Sequence, residues 1–142
     1  MWTEIDESNE LDVTFQFFGY WNSGRIGDAL SLLSDTVTYD RVPLAAVRGR
    51  REVESLLRGF GIGASFTVAW QITNFAISRN VVFTERVDVY RHECGGAIVV
   101  PVMGALTVVH DEITSWRDYF DHASFDEQLA AIHRRTDGRS RP

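Results

Sequence analysis

Two runs of the sequence put charge where strands are expected to carry apolar side chains: Glu85-Arg86-Val87-Asp88-Val89-Tyr90 and Trp116-Arg117-Asp118-Tyr119-Phe120-Asp121. Successive side chains of a strand alternate faces, so Arg86 and Asp88 share one face, and so do Trp116, Asp118 and Phe120. If the two strands lie in one sheet with those faces matched, two carboxylates and a guanidinium converge. Such a set can run acid–base chemistry. Two carboxylates held close together cannot both ionise cheaply, so one keeps a proton near neutral pH while the other serves as a base. A planar guanidinium can bridge both and fix their spacing. The same three charges could instead form a structural ion-pair network. However, Val81, Phe83, Val87, Val89 and residues 98–102 make the surrounding sheet apolar on both faces, and burying three charges there is costly unless they serve a function.

The elements that must position these residues follow from periodicity. Leu11, Phe15 and Phe18 are spaced as one face of a helix that ends at Asn22-Ser23-Gly24. Ile26, Leu30 and Leu33 repeat the spacing in a second, short helix closed by Ser34-Asp35. Residues 36–42 form a short strand with Tyr39 and Arg41 on one face, and Pro43 argues against a long central one. Val53, Leu56 and Leu57 mark a third helix over residues 49–59, stopped by Gly59, Gly61 and Gly63. Four strands follow, over residues 65–78, 81–91, 97–110 and 113–121, the last two joined by a tight turn at Asp111-Glu112. Pro101 and Gly104 suggest a bulge or bend, hence a curved sheet. Ser124 and Glu127 read as a capping box for a final helix whose apolar stripe is Phe125, Leu129 and Ile132.

The expected fold is therefore α+β, a single domain over residues 1–142 with flexible ends at 1–9 and 136–142. Helices gather on one face of a curved, mostly antiparallel sheet, giving a cone with an apolar pocket at its open end. Phe15, Phe18, Leu33, Trp70 and Tyr90 are expected to fold over that opening. The other sheet face carries Val99, Met103 and Val109, which a second copy would cover, so a homodimer is expected.

Composition narrows the function. The 142 residues carry a net charge of −6, which argues against nucleic acid as a partner. The lone Cys94 allows no internal disulfide and suits a reducing, cytoplasmic setting. His92, Glu93 and Cys94 are too few and too crowded in a turn to form a metal site, so no metal is expected. The opening residues are unlike a basic leader, and no apolar run approaches the ~20 residues of a membrane span.

With this layout, the chain resembles the nuclear-transport-factor-2-like cone fold. Within it, Glu85-Arg86-Val87-Asp88, Trp116 to Asp121, and Tyr39 followed by Val42-Pro43-Leu44 resemble the limonene-1,2-epoxide hydrolase family, over about residues 11–125. The resemblance implies a one-step, cofactor-free addition of water to an apolar, terpene-like or lipophilic epoxide. It implies Asp118 as general base, Asp88 as general acid, Arg86 as the cation between them, and Tyr39 as a residue that holds the water. One position departs from the family: Arg41 stands where the family has an Asn that helps orient the water. If Arg41 reaches the pocket, its charge favours ionised carboxylate and depletes the protonated acid. Two other readings stay open: a polyketide or steroid cyclase or isomerase working through a single carboxylate, and a non-catalytic ligand-binding dimer. Arg117 and Asp121, on the opposite face from Asp118, read as structural. His110 reads as solvated, and His122 and His133 have no assigned role.

Overall fold

The structure, a computed structural model, describes residues 7–140, with side chains over residues 9–138. Ten elements follow one another: α1 (Glu7–Asn22), α2 (Ile26–Ser31), β1 (Leu33–Val42), β2 (Val47–Arg48), α3 (Arg50–Phe60), β3 (Phe66–Ser78), β4 (Val81–His92), β5 (Ala97–Val109), β6 (Glu112–Tyr119) and α4 (His122–Ser140). The six strands form one sheet in the order β2-β1-β6-β5-β4-β3. Only β1 and β6 run parallel; every other neighbouring pair is antiparallel. β1 joins the sheet beside the last strand rather than the next one in the chain, which brings Tyr39 and Arg41 alongside Trp116 and Asp118.

The strand alternation settles the faces. Along β4 the inward residues Val82, Thr84, Arg86 and Asp88 are buried, and Phe83 and Val87 between them are exposed. β5 does the same, with Ile98, Val100 and Val102 inside and Val99 and Met103 outside. The helices lie on the inner face. Side-chain amides tie the layers to strand edges: Asn22 exchanges two hydrogen bonds with the Trp70 backbone, and Gln128 exchanges two with the Val99 backbone. Each satisfies peptide groups that have no neighbouring strand to pair with at that point.

Several expectations shift. The buried stripe of α1 is Val13, Phe17, Phe18 and Trp21. Phe15 points outward and meets Phe75 edge-on at 5.3 Å. Five aromatic residues in the seven positions 15–21 satisfy more than one helical face, and tertiary packing chooses among them. α2 stops at Ser31, and Leu33 opens β1 instead, because its side chain buries equally well at the start of the strand. β1 is consequently ten residues long. The β5–β6 turn is His110-Asp111, both in the left-handed region (φ 49° and 66°) that a two-residue hairpin demands. The register shifts fall between Leu33 and Thr38, between Ile72 and Asn74 and between Thr107 and Val108, not at Pro101 or Gly104. Asp121, not Ser124, caps α4: its carboxylate accepts from the Ser124 N–H at 3.0 Å. Helix takes in residues 7–9 and 136–140; residues 1–6 and 141–142 lie outside the described residues.

Candidate active site

β4 and β6 are not neighbours; β5 lies between them. Their inward charges can therefore meet only if β5 leaves room. It does so at Gly104, which pairs with Thr84 on one side and Asp118 on the other. A Cβ there would stand 2.5 Å from Arg86 Nη1, 2.8 Å from Asp118 Oδ1 and 3.1 Å from Thr84 Oγ1. The glycine is a window through the middle strand. Its reason is not a bend but the passage of a guanidinium across it.

Through that window Arg86 holds both carboxylates. Nε and Nη2 donate to Asp88 Oδ1 and Oδ2 at 3.0 and 2.9 Å, a two-point fork. Nη1 donates to Asp118 Oδ1 at 3.1 Å and to Thr84 Oγ1 at 3.2 Å. The Phe18 ring of α1 packs against the guanidinium, 4.6 Å from Cζ to the ring centroid. Asp118 takes a further hydrogen bond from its strand-mate Trp116, Nε1 to Oδ2 at 3.1 Å. All three charged residues are at most 4 % exposed. Thr84 and the Trp116 N–H were not among the expected participants. Thr84 could have been found by carrying the period of two back from Arg86.

The electrostatics set Asp88 apart from an ordinary carboxylate. Burial pushes Asp88 up to about 6; the hydrogen bonds and charge of Arg86 pull it back, and the charge of Asp118 raises it. Burial alone would lower Arg86, but Asp118 and Asp88 together hold it above its ordinary value, so it stays charged. Asp118 faces two N–H donors, both suited to an ionised oxygen. With one proton on Asp88 the trio is neutral; without it the trio carries an uncompensated buried charge.

Above the trio lies a cavity of about 180 Å³ lined by Tyr39, Arg41, Leu56, Phe60, Tyr90 and Phe125, among others. Its wall is mostly apolar, as a lipophilic ligand requires. Of the residues expected over the opening only Tyr90 lines it; Phe18, Leu33 and Trp70 lie in the core and Phe15 is on the outside. Arg86, Asp88 and Asp118 do not reach its surface. Tyr39 and Tyr90 make the link, for both line the cavity and both sense both carboxylates. Burial raises each phenol well above its ordinary value, with Asp118 the next influence on Tyr39 and Asp88 the next on Tyr90. Tyr39 stacks on Trp116, with ring centroids 4.0 Å apart and planes within 20°.

Arg41 does line the cavity, one strand across from Asp118. Its charge acts on Tyr39, which it lowers, whereas Asp88 is set by burial, Arg86 and Asp118. His122 also lines the cavity; its Nε2–H donates to the Val42 carbonyl at 2.8 Å and its ring stacks on Phe120. Among the described residues no helix is long and apolar enough to cross a membrane.

The sequence profile of the limonene-1,2-epoxide hydrolase catalytic domain matches residues 24–132. Among solved structures, an LEH-like epoxide hydrolase of M. tuberculosis superposes with a TM-score of 0.75 at 23 % identity, covering 88 % of this chain and 95 % of its own. A candidate polyketide cyclase from Xanthomonas campestris reaches a TM-score of 0.78 at 16 % identity, covering 88 % and 99 %. A protein with a ketosteroid isomerase-like fold from Catenulispora acidiphila, in complex with trimethylamine, reaches 0.68 at 22 %, covering 82 % and 90 %. At these identities the structural likeness concerns the fold, an open, curved six-stranded sheet of the nuclear-transport-factor-2-like kind.

Proposed function

The chain belongs to the limonene-1,2-epoxide hydrolase family, and from that premise we propose that it is a cofactor-independent epoxide hydrolase acting on a lipophilic epoxide. One observation carries the proposal: a single buried guanidinium grips two carboxylates, one of which keeps its proton up to about pH 6.

Opening an epoxide with water needs a proton removed from the nucleophile and a proton given to the departing oxygen, nearly together. In this assignment Tyr39 holds the water and Asp118 takes its proton as the water oxygen bonds to one epoxide carbon. The bond from that carbon to the ring oxygen breaks, and Asp88 protonates that oxygen. The products are a vicinal diol, a protonated Asp118 and an ionised Asp88. Return of one proton from Asp118 to Asp88 resets the site. Arg86 stays charged throughout and balances whichever carboxylate is ionised. The epoxide enters past Tyr39 and Tyr90, which line the cavity and sense both carboxylates.

Isomerisation or cyclisation of the ketosteroid or polyketide kind needs one carboxylate base. The second inward carboxylate on the same arginine favours hydrolysis over that alternative. A purely structural role leaves unexplained why the trio adjoins an apolar cavity. We also place a second copy of the chain on the exposed outer face that carries Phe83, Val87, Val99 and Met103. The test is diol formation from a panel of lipophilic epoxides. Asp118→Asn and Asp88→Asn are each expected to abolish it while the fold is retained. Near-normal turnover in either variant would sink the assignment.

A further inference from the structure

An arginine lining an apolar cavity calls for an explanation that the acid–base machinery does not supply. Arg41 is half-buried, lines the cavity, and makes no salt bridge among the described residues. Four other arginines are paired: Arg25 with Asp28, Arg50 with Asp35, Arg58 with Glu54, and Arg86 with Asp88 and Asp118. Two acidic residues lie in its neighbourhood, and neither takes it. Asp126 lines the same cavity without forming an ion pair with it. Asp118 is its partner in the β1–β6 register but is held by Arg86 and Trp116. His122, the remaining titratable side chain of the wall besides the two tyrosines, is engaged by the Val42 carbonyl. The cavity thus holds one uncommitted guanidinium among Leu56, Phe60 and Phe125. When a ligand displaces water from such a space, a cation without a partner is costly, and a ligand that brings an anion offsets the cost.

We propose that Arg41 is the head-group site for a substrate carboxylate, so that the preferred epoxide is a lipophilic acid rather than a neutral hydrocarbon. A single guanidinium matches a planar carboxylate through two parallel N–H donors. A phosphate monoester, with its larger charge, would want a second cation, and the cavity wall has none. The apolar wall accommodates the hydrocarbon part, and the β1–β6 register sets the head group one strand from the base. The inference rests on the hydrolase reading for the reaction, but not for the ligand.

The test separates the two. Quenching of the Trp21, Trp70 and Trp116 emission by octanoate and by octanamide measures ligand binding without catalysis. Octanoate is expected to bind about tenfold more tightly to the native protein. Arg41→Gln is expected to bring the two within about twofold of each other, and Arg41→Lys to retain part of the preference. In turnover, an octanoate carrying a terminal epoxide is expected to exceed its methyl ester in kcat/KM by a similar factor, with the ratio collapsing in Arg41→Gln. If octanoate shows the Arg41-dependent preference and no epoxide is turned over, the head-group site stands and the hydrolase reading falls. If epoxides are hydrolysed but acid and ester keep one ratio in native protein and Arg41→Gln, and octanoate binds no better than octanamide, the head-group site is refuted. Should Arg41→Gln not fold, the octanoate-to-octanamide ratio in native protein and Arg41→Lys, at low and high salt, decides: equal binding refutes it.

Discussion

Asp88 should make the stability of this protein depend on pH in a way that its removal abolishes. Its ordinary value of 3.8 rises to about 6 in the folded chain, chiefly through burial. A group that holds its proton more tightly when folded adds stability at low pH. That stability is complete below the unfolded value and is lost as pH rises through the folded one. The full shift of 2.2 units, from 6 minus 3.8, corresponds to about 3 kcal/mol. At pH 5 the folded carboxyl is mostly protonated and the unfolded one mostly ionised, which leaves about 1.4 kcal/mol; at pH 8 nothing remains. Urea unfolding at the two pH values, for native protein and Asp88→Asn, isolates this contribution as a difference of differences. Titrating groups that do not interact with Asp88 cancel, and any fixed cost of the asparagine drops out. The native protein is expected to lose about 1.4 kcal/mol more than the variant between pH 5 and pH 8. The same group should set the alkaline limb of kcat/KM, with the rate falling as pH rises through about 6 because the acid has lost its proton. Equal pH dependence in the two proteins would refute the claim that burial holds the proton on Asp88.

Three further outcomes follow from the geometry. Gly104→Ala places a methyl group 2.5 Å from Arg86 Nη1 and 2.8 Å from Asp118 Oδ1, so it should cost about 3–5 kcal/mol in urea unfolding and most of the activity; a variant of native stability would mean that the trio does not need the window. Trp116→Phe removes the N–H donor to Asp118 and should cost about 1–3 kcal/mol in stability, with the kinetic loss falling on kcat rather than KM; a loss confined to KM would make the indole a ligand-binding surface instead. Met103→Glu, on the exposed outer face, should convert a dimer to a monomer in sedimentation velocity at micromolar concentration, whereas a native protein that is already monomeric would contradict the pairing of outer faces.

Much of the site was legible because strands impose a strict period. Arg86 and Asp88, two residues apart, had to share a face, and an apolar sheet on both sides made their burial the informative fact. What could not be read was anything that depends on three strands at once. Gly104 announced an irregularity, and the sequence suggested a bend. Its actual role appears only when β4 and β6 are placed on either side of it, with Thr84 and Asp118 as its partners in register. Helix α1 failed for a different reason. Phe15, Phe17, Phe18 and Trp21 satisfy several helical faces, and the choice between them is made by Trp70 and Trp116 packing from the sheet. Leu33 is ambiguous for the same cause: one apolar residue fits the end of a helix and the start of a strand. The departure at Arg41 was visible in the sequence, but not its consequence. The strand pairing places it in the cavity beside Tyr39, and among the described residues no carboxylate forms an ion pair with it.

Direct attack of water on the epoxide, with Asp118 as base and Asp88 as acid, can be tested in one turnover. Enzyme in excess over a lipophilic epoxide in ¹⁸O-labelled water should yield a diol carrying one labelled oxygen from the first turnover, because the nucleophile is solvent water. No label should enter the protein. An unlabelled diol from the first turnover would mean that a carboxylate oxygen had attacked the ring and been transferred, and no diol at all would remove the hydrolase assignment. The native protein should give a singly labelled diol, and Asp118→Asn none.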